Sequence, residues 1–321
     1  MQKNKKILVT GSSGTIGNRL CELLDLNGME YVGIDYVQNV WNENVNNKTI
    51  YIDLRDKKKY DKIPDDIEII IHLAANARVY NLVQAPDLAK DNFLTTYNIC
   101  EFARSKKIKK IIFSSSREVY GNSSKIIHDE NDSIVRLCES NYTATKIAGE
   151  ALIHSYYQCY GINFIILRFS NVFGRYDFSD RVIPLFLLKA LKNKDITIFG
   201  RDKILDFTYV DDTISGIMKS IFSFEKAKNE VYNIASGKGY SIEDVTNLII
   251  EKTNSKSKIY FKDNRVGEVC KYIANINKAS SILDYNSNHS ISEGINKTIE
   301  WYKPRIKDYI TSLNKSNSEL F

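Results

Sequence analysis

The chain has 321 residues, a formal net charge of +6, 43% hydrophobic and 26% charged residues, which suits a globular protein of one large domain and a smaller lobe. Lysines gather in short runs (Lys3, Lys5 and Lys6; Lys57 to Lys59; Lys106, Lys107, Lys109 and Lys110), but acidic residues are interspersed and no basic helix appears, which argues against a nucleic-acid partner. Five cysteines without Cys-x-x-Cys spacing and scattered histidines imply neither disulfides nor a metal, and apolar runs too short for a signal peptide or a membrane span set the expectation of a cytoplasmic protein with no membrane partner.

Residues 6–10 are apolar and β-rich and read as a buried strand. Gly11-Ser12-Ser13-Gly14-Thr15-Ile16-Gly17 follows at once, and a helical pattern runs from Ile16 through Leu20, Leu23 and Leu24 to a stop at Asn27-Gly28. A strand, a glycine-rich turn and a helix in that order form the setting of a dinucleotide site. Small residues let the backbone approach a pyrophosphate whose charge rests on the helix N-terminus. Gly11, Ser13, Gly14, Thr15, Ile16 and Gly17 are therefore candidate cofactor contacts. The next strand, 31–35, ends in Asp35, eighteen residues beyond Gly17. A carboxylate there accepts from ribose hydroxyls and repels a 2′-phosphate, and no arginine follows in Tyr36-Val37-Gln38, which points to NAD.

Residues 49–52 form a third strand and run into Asp53-Leu54-Arg55-Asp56. Residues 67–73 form a fourth, apolar almost throughout and so buried on both faces, as in a parallel sheet. A helix over 87–104 carries Asn92, and 110–114 is the fifth strand. Alternating strands and helices predict a doubly wound α/β sheet, with ligands beyond the carboxyl ends of its strands, where Ala74, Ser114 and Ser116 fall. From Ser140 to about Tyr160 apolar residues recur at helical spacing, which places Tyr142 and Lys146 one above the other. A neighbouring ammonium favours the phenolate of a tyrosine. Bringing its pKa from about 10 to about 7 takes roughly 4 kcal/mol. That pair, with Ser116 as third partner, suits proton transfer to and from a sugar or alcohol hydroxyl. Beyond a sixth strand at 163–168 the alternation loosens into short strands and helices. The expected organisation is a dinucleotide-binding domain over 1–170, with part of the chain after 205 returning to it, a mainly substrate-binding lobe over 171–311, and a tail over 312–321.

Taken together, the motifs TGSSGTIG (10–17), Asp35, DLRD (53–56), HLAA (72–75), Asn92, FSSSREVYG (113–121), YTATK (142–146), RFSNVFG (168–174), FTYVDD (207–212) and RVGE (265–268) resemble the extended short-chain dehydrogenase/reductase family, in particular its NAD-dependent nucleotide-sugar epimerases and dehydratases. The resemblance implies a Rossmann sheet with a smaller α/β substrate-binding lobe. Gly11, Gly14 and Gly17 would hold the pyrophosphate and Asp35 the ribose. Asp53 and Leu54 would flank the adenine, with Leu73, Ala74, Ala75, Asn92 and Ser114 along the cofactor channel. Lys146, beside Tyr142, would also hold the nicotinamide ribose. Ser116, Tyr142 and Lys146 match the catalytic trio, and Ser116, Arg117, Asn171 and Arg265 match substrate-contacting positions.

Two departures stand out. Leu205 occupies a place where the family commonly carries an arginine, and Lys203 is a candidate replacement. Arg117 precedes Glu118 where related 4,6-dehydratases carry an acid, which leaves Glu118 as either a second acid–base group or a salt-bridged loop residue. The resemblance implies oxidation at carbon 4 of a sugar carried on uridine or guanosine diphosphate, followed by 4-epimerisation. Dehydration or decarboxylation through Glu118, a 4-dehydrogenase, and a non-catalytic NAD-binding regulator are the alternatives. A homodimer is expected through the helices that carry Asn92 and Tyr142.

Overall fold

Seven parallel strands form the central sheet of the computed structural model, which describes residues 6–316. Lys3 and Lys5 therefore lie outside the described residues. In spatial order the strands are Glu230–Ile234, Asn163–Phe169, β5 (Lys110–Ser116), β4 (Ile67–His72), β1 (Lys6–Thr10), β2 (Tyr31–Asp35) and β3 (Thr49–Tyr51). The alternation of side chains explains the apolar runs. Val9 and Ile71 enter one core cluster while Leu8 and Ile70 enter the other, so both faces of the sheet are dry. β1 lies between β4 and β2, and the winding reverses there. A crevice opens beyond the carboxyl ends of β1 and β4, the place such sheets use for ligands.

Helix α1 (Thr15–Leu26) packs on the Val210–Phe222 helix, and the Asp87–Ser105 helix packs on Asn141–Tyr160. The long elements match the predicted positions to within a residue or two. Among the short ones, Ile196–Phe199, Ile204–Tyr209 and Ile259–Lys262 also fall within a residue of expected strands, whereas Asn171–Phe173, Gly239–Ser241, Lys271–Ala274 and Ile127–His128 lie where no strand is expected. These four join Ile204–Tyr209 in a second sheet, and Ile196–Phe199 pairs with Ile259–Lys262. The four unexpected strands show no period of their own, and pairing with a distant partner creates them.

The Ile306–Ser316 helix extends into the stretch expected as a tail, while 317–321 lie outside the described residues. Tyr309 anchors that helix. It is fully buried and its ring stacks on Phe178 at 4.6 Å. Tyr302 and Tyr309 donate hydrogen bonds to the carbonyls of Asp177 and Ser179, and so hold the segment that leads to Arg181. Among the described residues no helix is long and apolar enough to cross a membrane.

Candidate active site

The glycine turn is built for close backbone approach. Gly11 has φ +74°, and a Cβ there would stand 2.9 Å from the Ala74 amide nitrogen. A Cβ on Gly17 would stand 2.0 Å from the Gly11 carbonyl oxygen. Gly14 caps α1 without any side-chain hydrogen bond, so the positive end of the helix is left to whatever enters the crevice. Asp35 is fixed against this turn: Oδ2 accepts from the Ser13 amide at 2.9 Å and Oδ1 from the Val37 amide at 2.9 Å. Burial pushes the Asp35 carboxyl up, and these amides work against that shift. Ser13 donates its hydroxyl to the Val37 carbonyl, and Thr15 donates to the Tyr176 carbonyl at 2.9 Å. These features fit NAD. A pyrophosphate would meet the α1 N-terminus, a ribose would meet Asp35, and residues 36–40 contain no cation for a 2′-phosphate.

A cavity of about 580 Å³ runs from this turn to the second sheet, where Leu205 and Phe207 line it. Gly11, Gly14, Thr15, Ile16, Gly17, Leu73, Ala75 and Ser114 line it at the sheet end, and Ser116, Arg117, Glu118, Tyr142, Lys146, Asn171 and Arg265 line it further in. Ser13, Asp35, Asp53, Leu54, Ala74 and Asn92 do not form its wall. The Ala74 amide donates to Thr10 Oγ1 at 3.2 Å, which braces the turn after β4. Asn92 accepts from the Asn76 amide at 2.7 Å and donates to Thr145 at 3.3 Å, tying the loop after β4 to the Tyr142 helix. Leu54 is buried in the core, and the Asp53 carboxylate is held by Arg55, which keeps it below the usual carboxylate range.

Ser116 is the last residue of β5, and its Oγ accepts from the Glu118 amide at 3.2 Å. Ser140 caps the Asn141–Tyr160 helix by accepting from the Thr143 amide at 3.2 Å, which sets Tyr142 one residue into the first turn. Tyr142 and Lys146 are both buried. Lys146 Nζ donates to the Ser114 carbonyl at 2.7 Å and stands 5.7 Å from the centre of the Tyr142 ring.

The trio assembles, but its charge state differs from the sequence expectation. Burial pushes Tyr142 up to about 12 and pulls Lys146 down to about 8. Removing water disfavours the charged form of each group, and the spacing of the two residues could not reveal that cost. A hydrogen bond from Ser116 and the cations Arg181 and Arg117 oppose the rise at Tyr142. Sequence reasoning missed Arg181. It follows a Phe-Ser-Asp turn with no motif of its own, and the buried tyrosines Tyr302 and Tyr309 hold that segment in place. Arg78, ion-paired with Asp180, was missed in the same way and also lines the cavity.

At the far end, Arg117 Nη2 meets Glu118 Oε1 at 2.7 Å. Asn171 donates to the Asp206 carbonyl at 2.8 Å. The Arg265 guanidinium lies over Phe199 at 4.1 Å and Tyr80 at 5.0 Å. Leu205 is buried between Tyr240 and Tyr272 in the second sheet. Lys203 is bound to Glu268, so it is not a free stand-in for the arginine that Leu205 replaces.

The model of the NAD dependent epimerase/dehydratase family matches residues 7–235. A Methanocaldococcus jannaschii protein, provisionally named a UDP-glucose 4-epimerase, is 36% identical over 306 residues, covering 92% of this chain and 98% of its own length. Among solved structures, UDP-glucose 4-epimerase from Thermotoga maritima with UDP-glucose superimposes with a TM-score of 0.87 at 29% identity, covering 94% of this chain and 99% of that one. UDP-glucuronic acid 4-epimerase from Bacillus cereus, in complex with UDP-glucuronic acid and NAD, gives 0.84 at 29% identity over 94% and 99%. With the glycine turn and the Tyr142 helix inside the matched span, the chain belongs to the NAD-dependent epimerase/dehydratase family and is an NAD-dependent nucleotide-sugar 4-epimerase.

Proposed function

We propose that the enzyme inverts carbon 4 of a sugar carried on uridine diphosphate, with Tyr142, Ser116 and Lys146 as its working groups. The observation that carries these roles is that Ser116, Tyr142 and Lys146, the last anchored on the Ser114 carbonyl, all line the cavity that begins at the glycine turn. NAD supplies the hydride acceptor and donor. Tyr142 takes the proton from the carbon-4 hydroxyl during oxidation and returns it during reduction. Ser116 orients that oxygen. Lys146, held by Ser114, places positive charge beside the phenol.

The seven-stranded part holds the cofactor, and the lobe after residue 170 holds most of the substrate. Asn171 and Arg265 take the diphosphate. Uridine is preferred to guanosine because the similar solved enzymes bind UDP-sugars. Epimerisation is favoured over dehydration or decarboxylation because the Glu118 carboxylate is engaged by Arg117 rather than paired with a second acid. The protein acts as a cytoplasmic homodimer through the Asp87–Ser105 and Asn141–Tyr160 helices. In support, Phe93 and Tyr97, one helical turn apart, are 45% and 37% exposed on that pair of helices.

The Tyr142→Phe variant tests the assignment. It should lose at least about 100-fold of turnover while NAD binding persists, and undiminished turnover would refute the role. Run in deuterated water, the reaction should place no deuterium on carbon, whereas dehydration would exchange the proton at carbon 5.

A further inference from the structure

Among the described residues that line the cavity, three buried polar atoms lack a hydrogen-bond partner: Nη1 of Arg117, Oε2 of Glu118 and Oδ2 of Asp177, the last with the Arg181 guanidinium 3.9 Å away. Arg117 and Glu118 are 8% and 5% exposed, so water does not readily serve them. This pair is internally bonded through Nη2 and Oε1 at 2.7 Å, and the Glu118 amide is tied to Ser116 Oγ. The Tyr272 ring, which is not part of the cavity wall, backs the Arg117 guanidinium at 5.8 Å. One donor and one acceptor thus belong to a single ion-paired couple, on the turn that follows Ser116. Buried polar groups are rarely left unmatched, and a pair in a ligand cavity points to a ligand group that satisfies both.

We propose that Arg117 and Glu118 together recognise an uncharged, hydroxyl-bearing substituent on a ring carbon next to carbon 4 and discriminate against a carboxylate there. The inference rests on the preceding reading, in which Ser116 holds the carbon-4 oxygen. A hydroxyl donates to Oε2 and accepts from Nη1. A carboxylate accepts from Nη1 but sets its charge against Glu118 in a poorly hydrated space. A methyl group leaves both atoms unmatched. Because the two charges of the pair cancel, no net attraction for an anion remains at this point. Lys203, which acts on Glu118 from just before the Ile204–Tyr209 strand, is itself neutralised by Glu268.

The test compares UDP-glucose with UDP-glucuronate, by calorimetric binding to the NAD-loaded enzyme and separately by turnover. Wild type should bind UDP-glucose at least tenfold more tightly. Glu118→Gln, which leaves Arg117 as an unpaired cation, should shift that ratio at least tenfold toward UDP-glucuronate. The double variant Arg117→Gln/Glu118→Gln keeps two hydrogen-bonding groups without charge, and should also shift the ratio toward the uronate if the single variant does not fold. A wild-type ratio below tenfold, or a ratio that neither variant moves, overturns the inference. Turnover of either sugar without the binding preference removes this inference and leaves the epimerase reading standing. The preference without turnover of any nucleotide sugar does the reverse, and failure to bind either sugar removes both.

Discussion

Replacing Lys146 with methionine keeps a side chain of similar length while removing its charge. The ammonium stands 5.7 Å from the centre of the Tyr142 ring. At an effective dielectric of about 20, a charge pair at that separation is worth about 3 kcal/mol, or about two pKa units. Burial already holds the phenol at about 12, so each further unit removes tenfold of the reactive phenolate at neutral pH. The variant should therefore lose about 100-fold of kcat at pH 7, with little change in KM.

The sign of the effect sets its pH window. Lys146 itself is pulled down to about 8, so its ammonium acts below that pH and fades above it. The deficit of the Lys146→Met variant should accordingly shrink as the pH rises past about 8. The assay is steady-state epimerisation across that range, with NAD binding measured alongside to separate lost cofactor from lost chemistry. A variant with bound NAD and wild-type kcat at pH 7 would refute the electrostatic argument.

Three more outcomes follow from the geometry. Gly17→Ala puts a methyl where only 2.0 Å separates it from the Gly11 carbonyl oxygen, so the turn must open and NAD affinity should fall at least about 100-fold; unchanged affinity by calorimetry counts against the tight-turn argument. Glu150 binds Arg168 through two bonds of 2.7 and 2.9 Å in the core, so Glu150→Gln leaves a buried cation short of its partner and should cost about 3–5 kcal/mol in chemical denaturation; a loss below about 1 kcal/mol contradicts that. His72 is held down to about 3 by burial and by Lys146, while in the unfolded chain it titrates near about 6.5. The unfolded state therefore binds the proton first, and stability should decline as the pH drops from about 6.5 toward 3. In the folded protein the His72 ring signals should not titrate at pH 5, and a midpoint near 6.5 would refute its assigned state.

Much of this was legible in the chain because it is local. The strand–turn–helix from Lys6 to Leu26, the carboxylate at Asp35 and the four-residue step from Tyr142 to Lys146 rest on backbone periods and side-chain sizes, which neighbouring residues set by themselves. The same holds for Ser116, which the hydroxyl run Ser114 to Ser116 places at the carboxyl end of an otherwise apolar strand. By contrast, the motif placed Asn92 in the cofactor channel, but its partners Asn76 and Thr145 lie on other elements, and the structure makes it a brace.

Local sequence alone was enough for the doubly wound sheet, the glycine turn with its NAD-type carboxylate, and the identity of Ser116, Tyr142 and Lys146. Long-range packing alone set the Tyr142 phenol neutral at about 12 and drew Lys146 down to about 8, brought Arg181 and Arg78 to the cavity, and committed Glu118 to Arg117. The reason is physical. Local shape depends on residues a few positions apart, whereas the charge a group carries depends on how much water the whole fold removes from around it, and on which distant side chains take the place of that water.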